Sequence, residues 1–209
     1  RKTFAASVLD LCRYFGTDGL DLDWEYPAIP GFPGHPYKPE DKNNFTRLVK
    51  TLRQTMGENY EISFAAGGFT DFIEKSIDWA AVMPYVDRVN IMSYDLVHGY
   101  STTTGHHTPL YSTPSQIEST DNAIRKFKGL SVAPHQLVIG AAFYGRVWEG
   151  VHHTNNGLYQ PGKFLKSVAF RQFTSELAGD SGYVAHWDAT AQAPFLYHAQ
   201  KKWFVTFDD

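Results

Sequence analysis

The chain has 209 residues, and 43% hydrophobic against 20% charged side chains predict a folded globular protein and exclude a disordered one. No apolar run approaches the ~18 residues of a membrane span, and a formal charge of −3 without a basic stretch argues against a nucleic-acid partner. Cys12 is the single cysteine, so we expect a buried, unreactive thiol and no intramolecular disulfide.

Helix and strand patterns alternate along the first two-thirds of the chain. Apolar residues at helical spacing predict a helix from Phe4 to Phe15 that ends at Gly16. The further predicted elements are a strand over 19–27, a helix over 45–56, a strand over 61–68, a helix over 72–86, a strand over 88–95, a helix through 117–127 capped by Ser112 or Ser115, and a strand over 136–145. This alternation predicts a parallel sheet in an α/β protein, either doubly wound or closed as a (β/α)8 barrel.

The pattern changes after Arg146, where Gly, Asn and Tyr separate short segments. This composition predicts a small α+β or β-rich subdomain, so we place a domain boundary near residue 146. No glycine-rich nucleotide loop follows a predicted strand, and we expect no cofactor.

Three carboxylates share one face of the strand predicted over 19–27. Residues two apart on a strand point the same way, so Asp21, Asp23 and Glu25 project together, toward the interior if the sheet closes. Crowded carboxylates raise the pKa of at least one of their number, which keeps a proton available near neutral pH. Since chemistry in parallel α/β folds takes place at the carboxyl ends of strands, we predict Glu25 to be a general acid. A solvated edge-strand face and a divalent-cation site fit the same pattern.

Three short motifs, DGLDLDWEYP at 18–27, MSYD at 92–95 and YGR at 144–146, follow one another along the chain. They resemble the DGxDxDxE, MxYD and YGR motifs of family 18 glycoside hydrolases, the chitinases and their relatives, and they occur in that family's order. The resemblance covers nearly the whole chain. It implies a partial (β/α)8 TIM barrel with strands four to seven present, over residues 1–146, followed by a small α+β insertion subdomain over 147–209. A complete barrel needs about 250 residues and eight strands, so the resemblance also implies a fragment.

The resemblance implies a chitinase that cleaves β-1,4-linked N-acetylglucosamine polymers by substrate-assisted retaining hydrolysis. Glu25 would protonate the glycosidic oxygen while the substrate's own N-acetyl carbonyl attacks the anomeric carbon. Asp23 would orient the acetamido group, with Asp21 one layer further from the sugar. Tyr94 would hold the acetamido oxygen.

Four further residues are expected by resemblance to contact the sugar chain. Met92 would form a wall, and Asp95 would contact the sugar or the water around the acid. Tyr144 and Arg146 would bind neighbouring sugar units. Without the resemblance, Tyr94 and Tyr144 equally fit interior tyrosines, and Arg146 fits a structural salt bridge.

Aromatic and histidine residues of the second half leave alternatives open. Trp148, Tyr159, Phe164 and Trp187 fit either a sugar-stacking wall or the subdomain's own core, and we expect two of the four in the core. Of these four, we predict that Trp148 and Trp187 bind substrate. The histidine pairs 106–107 and 152–153 lack acidic partners at ligand spacing, so we expect no metal.

The leading hypothesis is a secreted, monomeric hydrolase whose partners are chitin or N-acetylglucosamine oligosaccharides. A chitin-binding lectin of the same fold is the alternative, which the presence of Glu25 and Asp23 disfavours. An endo-β-N-acetylglucosaminidase fits less well because Tyr94-Asp95 is retained. A fragment inactive by itself is the remaining alternative.

Overall fold

The computed structural model describes residues 1–179 and 182–208, which form two compact units. The first unit comprises Arg1–Met92 and Ile124–Ile139, and the second comprises Ser93–Ala123 and the chain from Gly140 onward. The division into domains over 1–146 and 147–209 stays a prediction, and Asp180, Ser181 and Asp209 of its second segment lie outside the described residues.

A parallel sheet forms the centre of the first unit, as the alternating pattern predicts. Its four strands, in spatial order, are β1 (Gly19–Leu22), β2 (Glu61–Gly67), β3 (Arg88–Met92) and β4 (Leu137–Ile139). Every neighbouring pair is parallel. The α/β class is therefore confirmed, while the strands within the described residues do not close a barrel.

The helices of the chain are α1 (Lys2–Phe15), α2 (Asp41–Met56), α3 (Trp79–Val82) and α4 (Thr120–Gly129), counted over the described residues. Helix α1 ends as predicted, because Gly16 adopts the left-handed conformation at φ 66° and its N–H bonds to the carbonyl of Cys12. The thiol of Cys12 is buried, as expected.

Two helix predictions are wrong in detail. The helix predicted over 72–86 is a π-helical turn (Phe72–Ser76), then α3, then a 3-10 turn (Met83–Tyr85). Ile77 breaks it with extended backbone, and the Asp78 carboxylate caps α3 by accepting from the Ala81 N–H. Helix α4 begins at Thr120, and the Ser119 hydroxyl accepts from the Asn122 N–H, so neither Ser112 nor Ser115 is the cap.

Aromatic rings form the core of the first unit in a continuous series. Phe45 of α2 packs edge-on against Phe64 of β2 at 5.1 Å between ring centroids. Phe64 in turn stacks on Trp79, which meets Phe127 of α4 edge-on at 4.9 Å. All four side chains are buried, so these rings fix the helices against the sheet.

An antiparallel sheet forms the second unit, in agreement with the β-rich composition after Arg146. Its strands are β5 (Tyr144–Glu149), β6 (Lys163–Ala169), β7 (Tyr183–Asp188), β8 (Ala193–His198) and β9 (Trp203–Thr206), in the spatial order β6-β5-β9-β8-β7. The strand predicted over 136–145 is therefore two strands in two sheets, since β4 ends at Ile139 and β5 begins at Tyr144. No helix in the described ranges is long and apolar enough to cross a membrane.

One buried arginine ties α2 to the amino-terminal ends of the parallel strands. Arg53 is 7% exposed, and its Nη1 donates to the carbonyls of Gly57 and Tyr60 at 2.8 Å each. Its Nη2 pairs with Asp87 Oδ2, which also accepts from the Ile62 N–H at 2.7 Å. The guanidinium thus holds the loops that lead into β2 and β3 in register with the helix.

We expect Arg53→Met to lower the free energy of unfolding by about 3 kcal/mol, because it removes the donor of three carbonyls and the ion pair with Asp87. Urea unfolding followed by circular dichroism measures this. Arg47→Met on the exposed side of the same helix is the control and should change stability by less than about 0.5 kcal/mol. Equal losses in the two variants would contradict the clamp.

Candidate functional site

The three carboxylates predicted to share a face do so, but the strand beneath them is shorter than expected. β1 ends at Leu22, so Asp23 and Glu25 lie just beyond its carboxyl end. Exposure still alternates along the segment, with Asp21, Asp23 and Glu25 exposed and Trp24 half-buried. The sheet does not close within the described residues, so these side chains face no enclosed interior there. All three are therefore open to solvent and to a ligand.

Asp21 is held by two side chains from the neighbouring strands. Ser63 of β2 donates to Asp21 Oδ1 at 2.6 Å, and Asn90 of β3 donates to the same oxygen at 2.8 Å. Parallel register brings this about, because Asp21 lies opposite Ser63 and one further strand carries Asn90 on the same face. The side chain of Asp21 is thus fixed in the sheet by two hydrogen bonds.

Neither Asp23 nor Glu25 has a hydrogen-bond or ion-pair partner within residues 1–179 and 182–208. Both carboxylates project from the turn that follows β1 with their oxygens unoccupied. Groups placed in this way can accept from, or donate a proton to, an incoming molecule.

Met92 is the last residue of β3, and the chain turns sharply just after it. Tyr94 therefore does not continue the strand, although the sequence predicts one through residue 95. Asp95 adopts the left-handed conformation at φ 54°. Backbone of this kind is rare outside glycine and clusters at functional sites.

In the second unit, Asp95 and Arg146 form a two-pronged ion pair. The guanidinium Nε donates to Asp95 Oδ1 and Nη2 donates to Oδ2 at 2.5 Å. Arg146 Nη1 donates to the Ser167 hydroxyl at 3.2 Å, and its plane lies over the rings of Tyr144 and Phe164 at 5.3 and 5.5 Å. The arginine is thus in the salt bridge that sequence alone left as an alternative to sugar binding.

Electrostatics in this cluster favour fixed charge states. Burial would raise the pKa of Asp95, but His107, Arg146 and Tyr144 together hold it well below its usual range. Burial and the charge of Asp95 raise the pKa of Tyr144, so its hydroxyl stays protonated. His107 Nδ1 lies 3.6 Å from Asp95 Oδ1, long for a hydrogen bond, and its ring packs on Tyr144 at 5.3 Å. Tyr94 meets Tyr144 edge-on at 6.3 Å.

The two histidine pairs differ in their partners, since the rings of His152 and His153 pack on each other with centroids 4.2 Å apart. His106 Nε2 bonds to Asp188 Oδ2 at 3.1 Å, and burial lowers the pKa of His106 despite this carboxylate. The imidazole is therefore neutral near pH 7, and it donates from Nε2. His152 Nδ1 bonds to the Thr154 hydroxyl at 2.8 Å. Across the described part of the chain, no cluster of three or more His, Cys, Asp or Glu side chains has the geometry of a metal site.

The aromatic residues of the second unit divide between core and surface. Trp148 is fully buried with Val151, Leu158 and Phe204, and its indole N–H donates to the carbonyl of Ser101. Its expected role as a substrate-binding residue is wrong for this reason, since no face of the ring is open. Trp187 is 53% exposed and remains a candidate. Tyr159 and Phe164 pack against the buried cluster.

Sequence reasoning missed a polar partner of a candidate residue in each of the two units. Ser63 is the one hydroxyl in the apolar strand β2, and its position opposite Asp21 follows from a register that pattern analysis does not supply. His107 was considered only as a metal ligand, whereas it lies beside Asp95. A lone polar residue within a buried strand is the signal that points to such a partner.

Carboxylates at and just beyond the carboxyl end of a parallel strand, on an α/β sheet, are typical of glycoside hydrolases. The model of the family "Glycosyl hydrolases family 18" matches residues 1–209. The chain therefore belongs to glycosyl hydrolase family 18.

Known relatives agree in sequence and in structure. Chitinase A1 of Niallia circulans is 32% identical over 233 residues, covering all of this chain and 33% of that protein. A solved chitinase of Bacillus thuringiensis is 31% identical with a TM-score of 0.92, covering all of this chain and 38% of its own. A family 18 N-acetylglucosaminidase of Paenibacillus barengoltzii is 36% identical with a TM-score of 0.88, covering 98% of this chain and 62% of its own. The chain thus spans about a third of the curated relative.

We expect Asp95→Asn to flatten the acid dependence of stability. A carboxylate with a folded pKa below its unfolded value of about 3.9 stabilises the fold above that value, and this contribution is lost as the pH falls toward the folded pKa. The variant should be less stable than the parent chain at neutral pH and lose less stability between about pH 5 and pH 3.

Urea unfolding at several pH values measures this difference. Asp71→Asn, which removes an exposed carboxylate paired with Lys75, is the matched control and should follow the parent profile. If the free energy of unfolding of Asp95→Asn fell with pH in parallel with that of the parent chain, the ion pair with Arg146 would not be the cause of the loss of stability in acid.

Proposed function

We propose that the protein is a chitinase-type glycoside hydrolase with Glu25 as its general acid. The observation that carries this proposal is the exposed series Asp21, Asp23 and Glu25 at the end of β1, in a chain of glycosyl hydrolase family 18. Its substrates would be chitin and oligosaccharides of β-1,4-linked N-acetylglucosamine. The chitinase names of two relatives support this substrate class.

The reaction proceeds in two steps without an enzyme nucleophile. Glu25 gives its proton to the glycosidic oxygen as the bond to the anomeric carbon breaks, and the leaving sugar departs as an alcohol. The carbonyl oxygen of the substrate's own N-acetyl group bonds to the anomeric carbon, giving an oxazolinium ion. Water then gives a proton to the Glu25 carboxylate and attacks the anomeric carbon. This attack opens the oxazolinium ring and leaves the sugar with its original anomeric configuration.

Asp23 stabilises the oxazolinium step. Its carboxylate accepts from the acetamido N–H of the substrate and offsets the positive charge that develops there. Asp21 lies two residues before Asp23 on the same face, where Ser63 and Asn90 hold it. Asp21 is thus a positioning residue for the carboxylate series.

Sugar binding by the second unit rests on fewer groups than the sequence predicts. Tyr94 and Tyr144 would bind the sugar through hydroxyl groups, and Trp187 through its open ring face. Asp95 and Arg146 act mainly on each other, so we assign to the pair the positioning of Tyr144. Met92 would form a wall at the end of β3.

The parent architecture is proposed to be a (β/α)8 barrel in which β1 to β4 are strands four to seven, followed by the α+β insertion. The parallel order β1-β2-β3-β4 supports this assignment. We further propose a secreted, monomeric protein that works without cofactor or metal.

A second candidate is removal of single N-acetylglucosamine units from chain ends. It is favoured by the 36% identity to the Paenibacillus N-acetylglucosaminidase, which exceeds the 32% to the Niallia chitinase. Product analysis separates the two activities, since release of only the monosaccharide from chitohexaose indicates the second. A chitin-binding lectin and an inactive fragment remain the non-enzymatic alternatives.

We expect Glu25→Gln to abolish hydrolysis of a fluorogenic N-acetylglucosamine oligosaccharide and to leave oligosaccharide binding nearly unchanged, because glutamine keeps the shape but cannot donate a proton. Glu58→Gln changes an exposed glutamate outside the carboxylate series and should retain full activity. Rates are measured on the 209-residue chain and on any longer polypeptide that its gene encodes.

Each outcome of this comparison has a defined meaning. A Glu25→Gln variant that keeps more than a few per cent of activity contradicts the general-acid role. Activity confined to the longer polypeptide identifies the 209-residue chain as an incomplete enzyme. Binding without hydrolysis at both lengths identifies a lectin.

We expect Asp23→Asn to reduce kcat by about 10²-fold or more, because the developing charge loses its counter-charge. The measurement is kcat and KM with the fluorogenic substrate. An unchanged kcat would rule out the substrate-assisted role of Asp23.

A further inference from the structure

The segment after Glu25 has a proline at every third position, and it carries an exposed aromatic ring. The five prolines are Pro27, Pro30, Pro33, Pro36 and Pro39. Each fixes its own φ angle, so the segment loses little conformational entropy on binding a ligand. Such a loop is a rigid support rather than a flexible linker.

The base of this proline loop, residues 27–39, is anchored in the first unit. The Ser76 hydroxyl donates to the carbonyl of Pro27 at 2.5 Å, and Ile29 is buried. At Gly31 the backbone of the loop comes close to the backbone of Glu25, since a Cβ on Gly31 would lie 2.3 Å from the carbonyl oxygen of Glu25. Only glycine allows this approach, so the residue after Gly31 is positioned next to the backbone of the proposed acid.

Phe32, the residue after Gly31, begins a tight turn. The His35 N–H donates to the carbonyl of Phe32 at 3.0 Å, with Pro33 at the second position and Gly34 at φ 88° in the third. This is the residue pattern of a type II turn. The turn brings the rings of Phe32 and His35 together, with centroids 5.2 Å apart and planes inclined by 15°.

The stacked pair leaves one broad face of Phe32 open. The side chain is 62% exposed although a phenyl ring gains by leaving water. His35 covers the opposite face, so the ring has its support on one side and an open face of single-sugar size on the other.

We propose that the Phe32–His35 pair is a stacking platform for one pyranose ring of a β-linked polysaccharide, next to the bond that Glu25 cleaves. The proposal rests on the proposed function for its substrate class. A β-linked pyranose carries its hydroxyl groups around the edge and presents C–H bonds on both faces, and such a face fits a flat aromatic ring. Phe32 and Tyr37 are the large exposed apolar side chains of the loop, and together they offer too little area for a stable protein interface, which favours the sugar as the occupant.

The test measures binding of chitohexaose by isothermal titration in a Glu25→Gln background, where hydrolysis does not interfere. Adding Phe32→Ala should raise Kd about three- to tenfold, the range that loss of one aromatic contact gives. Phe32→Trp should restore tight binding, and Phe32→Leu should bind as weakly as Phe32→Ala, because leucine keeps apolar volume without a flat face.

Tyr14→Ala is the matched control, since it removes an aromatic ring that is 81% exposed on α1, and it should leave Kd unchanged. An unchanged Kd in Phe32→Ala, or tight binding by Phe32→Leu, would overturn the platform while leaving the proposed function intact. Absence of chitohexaose binding in the Glu25→Gln background, together with absence of hydrolysis by the unsubstituted protein at both lengths, would remove the proposed function and the platform with it.

Discussion

Parallel pairing of β1 with β2 and of β2 with β3 is the constraint on which the candidate site depends. It aligns the carboxyl ends of three strands at one edge and brings Asp21, Ser63 and Asn90 into one hydrogen-bonded group. Gly19 permits the pairing, because a Cβ there would lie 2.0 Å from the carbonyl oxygen of Glu61. The positions of Asp23 and Glu25 beyond the strand follow from where this ladder ends.

The sequence predicts those features of the fold and of the candidate site that depend on residues close together in the chain. Local signals predict α1 with its end at Gly16, the parallel sheet, and the common face of the three carboxylates, because helix caps and strand alternation act over a few residues. The early end of β1 and the burial of Trp148 follow from partners distant in the chain, and periodicity carries no information about these.

Family membership and catalytic competence are separate properties of this chain. Membership rests on a match over all 209 residues, whereas catalysis depends on protons held by particular carboxylates. Asp21 is fixed by two neighbours, but Asp23 and Glu25 extend freely into solvent. Substrate, or further parts of a longer polypeptide, would have to enclose these two carboxylates and exclude water from them.

The conformation of Asp95 restricts what evolution can place at that position. Two requirements meet there: a carboxylate that spans both nitrogens of Arg146, and a backbone at φ 54°. Glycine and asparagine tolerate the backbone but lack the charge, and glutamate supplies the charge but not the conformational tolerance. Aspartate meets both requirements at the lowest cost, so drift at this position passes through variants that weaken either the turn or the ion pair.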